Sequence, residues 1–136
     1  MKTFSLSALL VLLIMGGCKS PPGPFAPQDT TKYTLENTEM FVLMDQKVQH
    51  SVTSTGIQRG TTTDGRLQVV ANIKNRENRR IQVQVSCVFK DGQGFATGDE
   101  TPWETLILGE NETKAVSFAA MNANAERFTV RVRQSR

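Results

Sequence analysis

Leu67-Gln-Val-Val-Ala-Asn-Ile73 and Ile81-Gln-Val-Gln-Val-Ser-Cys-Val-Phe89 decide the fold class. In the first run Leu67, Val69, Ala71 and Ile73 share one parity; in the second Ile81, Val83, Val85, Cys87 and Phe89 do. Successive side chains of an extended chain point to opposite sides, so each run presents one apolar face, as a half-buried strand does. The link Lys74-Asn-Arg-Glu-Asn-Arg-Arg80 is short and polar, and two alternating strands joined in this way pair most simply as an antiparallel hairpin.

The same period extends in both directions. Toward the C-terminus, Lys90-Asp-Gly-Gln-Gly94 supplies turn residues, followed by a short segment at Phe95-Ala96. Trp103-Glu-Thr-Leu-Ile-Leu108 then reads as a strand with Leu106 and Leu108 inward, and Ala115–Ala119 as another with Val116 and Phe118 inward. After a polar bend at 121–126, Phe128-Thr-Val-Arg-Val132 closes the fold with Phe128, Val130 and Val132 on one side. Toward the N-terminus, Thr62-Thr-Asp-Gly65 reads as a turn. Ile57–Thr62 and Val48–Val52 read as weaker strands, and Met40–Met44 as an extended arm or first strand. About seven short strands at regular spacing, with no amphipathic helix of about 10 residues, predict an all-β fold, an antiparallel β-sandwich. Trp103 is its largest candidate core side chain.

The chain has 136 residues, enough for a single hydrophobic core and too few for two. One of its 16 basic residues is Lys2, so a chain processed after residue 17 carries 15 against 13 acidic ones, a net of +2. So small a surplus does not point to nucleic acid.

Residues 1–18 begin with a basic Lys2, continue through an apolar run from Leu9 to Met15 and end in Gly16-Gly17-Cys18. Charge, apolar run and small residues are the three parts of a secretory signal, and the run is too short to span a bilayer as a helix of about 20 apolar residues. Met15-Gly-Gly-Cys18 resembles the bacterial lipobox, in which the cysteine is lipidated and becomes the new N-terminus. The next stretch, Lys19-Ser-Pro-Pro-Gly-Pro-Phe-Ala-Pro27, holds four of the five prolines, a composition for a stiff, extended spacer. The expected organisation is a signal peptide over 1–17, a lipidated Cys18 with a Pro-rich tether over 18–39, and a β-sandwich domain over 40–136. Lys19 stands where enteric lipoproteins retained at the inner membrane carry Asp, so the resemblance implies the outer membrane, facing the periplasm.

With Cys18 committed to lipid, Cys87 is left without an intramolecular bridging partner, and its place on an apolar strand face predicts a buried, inert thiol. His50 is the one histidine, no Gly-x-Ser-x-Gly elbow exists, and Cys87 with His50 falls short of a zinc site. Neither metal nor cofactor is expected. Two features carry partner chemistry. Arg76, Arg79 and Arg80 lie in the link after Ile73, while Arg127, Arg131 and Arg133 alternate with Thr129 along the last strand. Such a row either meets an anionic envelope partner or blunts an exposed strand edge. The second feature is Asp99, Glu100 and Glu104 around Pro102 and Trp103, expected as a solvated loop with Trp103 plugging the core edge. Paired carboxylates beside an aromatic also suggest a small envelope glycan hydrolase, which needs an acid and a base roughly 5–9.5 Å apart.

The stretch Arg80-Ile-Gln-Val-Gln-Val-Ser-Cys-Val-Phe-Lys-Asp-Gly92, with Trp103–Leu108 and Phe128–Val132, resembles the YcfL-like periplasmic lipoproteins. Asp91 and Gly94 match that family's Asp-x-x-Gly after a hydrophobic strand, and the likeness covers residues 65–133 together with the lipoprotein start. The Thr-rich stretch between Val48 and Asp64 departs from the pattern by its length. The resemblance implies an immunoglobulin-like sandwich tethered to the outer membrane, and it supplies no catalytic residues. The expected function is a non-enzymatic binding or scaffold module of the cell envelope, with membrane contact through its lipid and an envelope protein or polymer as partner; glycan hydrolysis through Asp99–Glu104 is the alternative.

Overall fold

The structure, a computed structural model, describes residues 40–135. The expected signal peptide over 1–17, the lipidation at Cys18 and the tether over 18–39 lie outside the described residues.

The elements run β1 (Phe41–Leu43), α1 (Gln46–Ser51), β2 (Val52–Thr61), β3 (Leu67–Asn75), β4 (Ile81–Lys90), β5 (Ala96–Glu100), β6 (Glu104–Leu108), β7 (Thr113–Ala119) and β8 (Arg127–Gln134). They form an all-β sandwich. One sheet has the order β1-β8-β4-β5, with β6 also paired to β4; the other has the order β2-β3-β7. Among the described residues there are eight strands, against the expected seven or so, and there β1 pairs with β8 in parallel while the other ladders are antiparallel.

The period-two faces form the core. Val69, Ala71 and Ile73 of β3 are fully buried, and opposite them lie Val85, Cys87 and Phe89 of β4 and Val130 and Val132 of β8. Leu108 and Phe118 close the sides. Each buried side chain of valine size or larger contributes roughly 1.5–3 kcal/mol. The loop after β2 follows the expected turn: Gly65 takes a left-handed conformation (φ +83°) and donates to the Thr62 carbonyl at 3.0 Å.

Four expectations are corrected. First, β3 and β4 do not form a hairpin. Both edges of β3 are taken, by β2 and β7, and β4 sits in the facing sheet between β8 and the β5/β6 edge. Alternation fixes which face of a strand is buried but not its neighbour. The crossing is enforced by Asn75, the buried last residue of β3, whose amide nitrogen donates to the carbonyls of Arg79 (2.7 Å) and Gly109 (2.8 Å). Its amide oxygen accepts from Glu77 N at 2.9 Å, so the link curls around one side chain and passes between sheets.

Second, Val48–Val52 is not a strand; residues 46–51 form α1. Val48 and Val52 are four apart, a spacing shared by one strand face and one helix face. Asp45 decides between them: it is the N-cap, and its Oδ1 accepts from Val48 N at 3.1 Å. Val52 then opens β2, which begins earlier than Ile57 and absorbs a bulge between Ser54 and Gly56.

Third, Trp103 is only half-buried and is not part of the core. Fourth, Asp99 is buried rather than solvated, as is Thr129, which accepts from Lys90 Nζ at 2.9 Å.

Candidate functional site

The residues expected to carry chemistry fall into three places. The most organised is the outer face of the five-stranded sheet, where β4, β6 and β8 lie side by side. On β8, Arg131 stands opposite Ser86 and Arg133 opposite Gln84. On the other side of β4, Thr105 stands opposite Gln84 and Ile107 opposite Gln82. Paired residues share a face, so Arg131, Arg133, Ser86, Gln84 and Thr105 all look outward.

Trp103 completes that face. The strand edge changes from β5 to β6 at Pro102, which has no N–H for a ladder. Thr101 bridges the gap: its N–H donates to the Cys87 carbonyl (2.9 Å), its hydroxyl accepts from Cys87 N (2.9 Å), and its carbonyl accepts from Ser86 Oγ (2.9 Å). So pinned, the chain delivers the Trp103 ring across Ser86 to β8. The guanidinium carbon of Arg133 lies 4.0 Å from the ring centroid, and that of Arg131 lies 4.9 Å from it. Both distances are within cation–π range.

The two arginines differ in freedom. Arg131 is largely buried, with a side chain 12% exposed, and it donates to Glu100 and to Ser86 Oγ. Arg133 donates through Nε to Gln84 Oε1 at 2.9 Å, and its terminal amino groups have no hydrogen-bond partner among the described residues. Arg131 therefore braces the ring from within, while Arg133 holds it from the side open to solvent. Arg127 is exposed at the start of β8, beyond the buried Thr129, and belongs to the row by parity without reaching the ring.

Two of the three carboxylates of the second place have structural tasks. Asp99 Oδ2 accepts from the backbone N–H groups of Met121 (2.6 Å) and Asn122 (2.9 Å), clamping the loop between β7 and β8. Glu100, the next residue along the strand, pairs with Arg131 on the other face. Glu104 is exposed at the start of β6. Asp99 and Glu100 thus do not assemble into the acid–base pair that glycan cleavage requires.

In the third place, Arg76, Arg79 and Arg80 do not act as one cluster. Arg79 pairs with Glu77, whose carboxyl also accepts from Ser51 Oγ. The Arg79 and Ser51 hydrogen bonds hold the Glu77 carboxyl below the usual carboxylate range. Arg80 and Arg79 line a cavity beside α1, which Arg76 does not reach.

Cys87 is fully buried, and burial pushes its thiol up to about 12, with the Arg131 charge acting in the opposite direction. It is a packing group, not a nucleophile. His50 lies exposed in the last turn of α1. Among the described residues no group of three or more His, Cys, Asp or Glu is placed to hold a metal ion, and no helix is long and apolar enough to cross a membrane.

Sequence reasoning missed Trp103 as a surface residue, although the signal was present. In the run Trp103–Leu108 the even-numbered Leu106 and Leu108 face inward, so alternation carried back to Trp103, one residue before β6, turns it outward.

The fold is similar to that of two solved structures. A protein of Campylobacter jejuni, cj0090, superposes with a TM-score of 0.59 at 15% identity, covering 71% of this chain and 98% of its own. A DUF1425 family member from Shewanella sp. pv-4 superposes with a TM-score of 0.57 at 22% identity, covering 62% of this chain and 79% of its own. No curated protein shows significant sequence similarity to the chain. The family described as "Protein of unknown function (DUF1425)" matches residues 40–134, which takes in every strand from β1 to β8. The chain belongs to the DUF1425 family.

Proposed function

We propose that this protein is a lipid-anchored, non-enzymatic binding module of the bacterial cell envelope, of the YcfL-like kind, held at the outer membrane and facing the periplasm. The observation that carries the binding reading is the Trp103 ring lying beside the guanidinium groups of both Arg131 and Arg133 on an open sheet face. A rigid aromatic flanked by fixed cations needs little ordering to make a contact and suits an anionic envelope protein or polymer. The carboxylates Asp99 and Glu100 are each committed to holding the fold, which favours contact over bond-breaking.

The anchoring reading rests on Met15-Gly-Gly-Cys18 and the proline-rich stretch behind it. Lipid chains on Cys18 confine the sandwich to a surface and raise its concentration near a partner without adding any contact. Stable attachment takes two acyl chains or an equivalent second signal. Metabolic labelling with radioactive palmitate, followed by membrane fractionation, tests this reading. The wild-type chain is expected to carry label and to sediment with outer membranes; a Cys18→Ser chain is expected to carry none and to leave the membrane fraction. A Cys18→Ser chain that sediments as before overturns the anchor.

A further inference from the structure

The chain joins the sandwich at one particular end. The Met40 carbonyl accepts from Val130 N at 2.8 Å, and β1 runs parallel to β8 from Phe41, opposite Val130. β8 itself starts at Arg127, opposite Lys90, the last residue of β4. The β4–β5 turn (91–95) and the β7–β8 loop (120–126) therefore lie at this end. The β2–β3 turn (62–66) lies beside them, since Ala120 N donates to the Leu67 carbonyl at 2.8 Å. The β3–β4 link and the β6–β7 turn are at the opposite end.

Three large apolar side chains protrude where the chain joins: Met40 at 57%, Phe95 at 68% and Met121 at 79% exposure. Single exposed apolar residues are common on any surface. Here, however, the fold fixes two of them in place. Asp91 Oδ1 accepts from Gln93 N (2.9 Å) and Phe95 N (3.0 Å), and Gly94 closes the turn with a left-handed backbone (φ +88°). Met121 is held by its N–H to the buried Asp99, and the preceding Ala120 carbonyl accepts from Arg66 Nη1 at 3.0 Å. The Glu126 carboxylate lies against Gly92, so the turn and the loop brace each other. The Arg127 side chain reaches Gly94, the residue before Phe95.

The occupant of this surface follows from where the tether is attached. The 22 residues of the expected tether, 18–39, lead directly into Met40. Fully extended they reach about 75 Å, so their length alone leaves the domain free to turn. In any orientation, the end at Met40 is the one that meets the bilayer with the tether least stretched. A bilayer takes up protruding apolar side chains without a shaped pocket, and its phosphates suit a guanidinium beside them. The charges at this end cancel, Arg59, Arg66 and Arg127 against Asp64, Asp91 and Glu126. The contact is therefore apolar in character, and salt should weaken it little.

We propose that this end of the sandwich rests on the phospholipid surface, with Phe95 and Met121 inserted at the headgroup boundary, Met40 beside them and Arg127 on a lipid phosphate. The inference rests on the anchoring reading: two apolar tips hold a free protein weakly, and the tether supplies the local concentration that populates the contact. It also orients the binding face. Arg133 lies six residues beyond Arg127 on β8, about 20 Å along the strand, so Trp103 and Arg133 stand clear of the headgroups and face sideways.

The test holds the full-length Cys18→Ser chain on phosphatidylethanolamine–phosphatidylglycerol vesicles through an N-terminal histidine tag and nickel-chelating lipids. Attachment then does not depend on acylation, so a failed anchor, read by palmitate labelling, is distinguishable from a failed contact. A polarity-sensitive fluorophore is placed on one introduced cysteine at a time, Gln93→Cys, Asn122→Cys or Glu110→Cys, each exposed and the last at the far end; the buried Cys87 stays unlabelled. With vesicles, the labels at 93 and 122 are expected to shift to the blue and to be quenched by nitroxide lipids, in low and high salt alike. The label at 110 is expected to do neither. Adding Phe95→Asp/Met121→Asp should abolish both effects while the circular dichroism spectrum is unchanged, because both side chains are exposed. Absence of quenching at 93 and 122, equal quenching at 110, persistence in the double variant, or loss in high salt would each overturn the proposal. Labels silent on lipid vesicles but shifted in isolated outer membranes would assign these tips to a protein partner and overturn it equally.

Discussion

Arg133 holds its guanidinium carbon 4.0 Å from the centroid of the Trp103 ring, across the width of β4. The contact joins β8 to the point where the sheet edge changes strand, so it sets the indole's position. Replacing Arg133 by Ala should move the Trp103 fluorescence maximum to the red as water reaches the ring. An exposed cation–π contact is worth about 0.5–1 kcal/mol, and denaturant unfolding should show a loss of that size. An unmoved emission maximum would mean that the stacking does not persist in solution.

Asp99 tests whether the acidic residues are structural. Its carboxylate accepts two backbone N–H groups from a buried position. Hydrogen bonds to a charged group contribute roughly 1.5–3 kcal/mol each, so Asp99→Ala should cost at least about 2 kcal/mol in urea unfolding. Amide exchange should quicken first at Met121 and Asn122. A variant of unchanged stability would contradict the clamp.

Asn75 should be the more sensitive position. Asn75→Ala removes three hydrogen bonds and leaves the Arg79 and Gly109 carbonyls without their donor. Unsatisfied buried groups cost about 1–3 kcal/mol apiece, which predicts a loss of roughly 2–4 kcal/mol. Asn75→Asp keeps the acceptor and loses the donor, and should recover little. Equilibrium unfolding of both variants decides the matter.

Cys87 should resist modification while the protein is folded. Burial pushes its thiol up to about 12, so almost no thiolate exists at pH 8. In a Cys18→Ser chain, reaction with an aromatic disulfide reagent should be slow in buffer and fast in guanidinium chloride. Rapid labelling of the folded protein would place the thiol elsewhere. The same shift has a consequence at high pH: the unfolded thiol ionises first, so stability falls as pH rises past the unfolded value near 9.0 toward the folded one.

Acid should loosen two connections, the link between the sheets at Glu77 and the β2–β3 turn at Asp64. The carboxyls of Glu77 and Asp64 are held below their ordinary values, Glu77 first by Arg79 and then by Ser51, Asp64 first by Thr62 and then by Arg66. For a depressed carboxyl the unfolded chain takes up protons first as pH falls. The stabilisation is therefore complete above the ordinary values of 4.5 and 3.8 and is lost below them, down through the folded ones. Thermal midpoints measured from pH 6 to pH 2 should fall through this window, and Glu77→Gln should flatten part of the descent. A variant with an unchanged profile would remove Glu77 from the account.

What was legible in the sequence follows from what alternation can encode. Period two located the buried faces of β3, β4, β7 and β8 residue by residue, because one side of each faces a common core. It was silent on strand neighbours, so the crossing at Asn75 read as a hairpin. It was ambiguous over Val48 and Val52, where only the cap at Asp45 separates helix from strand. The arginine row was visible on β8, but its partners were not. Ser86 and Gln84 lie 45 and 49 residues away in sequence, and such pairings come from register rather than from local pattern. Asp99 looked like a loop acid because its acceptor role belongs to backbone groups more than 20 residues further on.

The central claim is that the face bearing Trp103 and Arg133 works by touching a partner in the envelope. A photo-crosslinking amino acid at Thr105, exposed and opposite Gln84 on that face, tests it in intact cells. The account predicts one discrete adduct at wild-type expression, lost in Arg133→Glu and in Trp103→Ala while both variants remain folded by circular dichroism. An absence of any adduct, or an adduct indifferent to both substitutions, would contradict it.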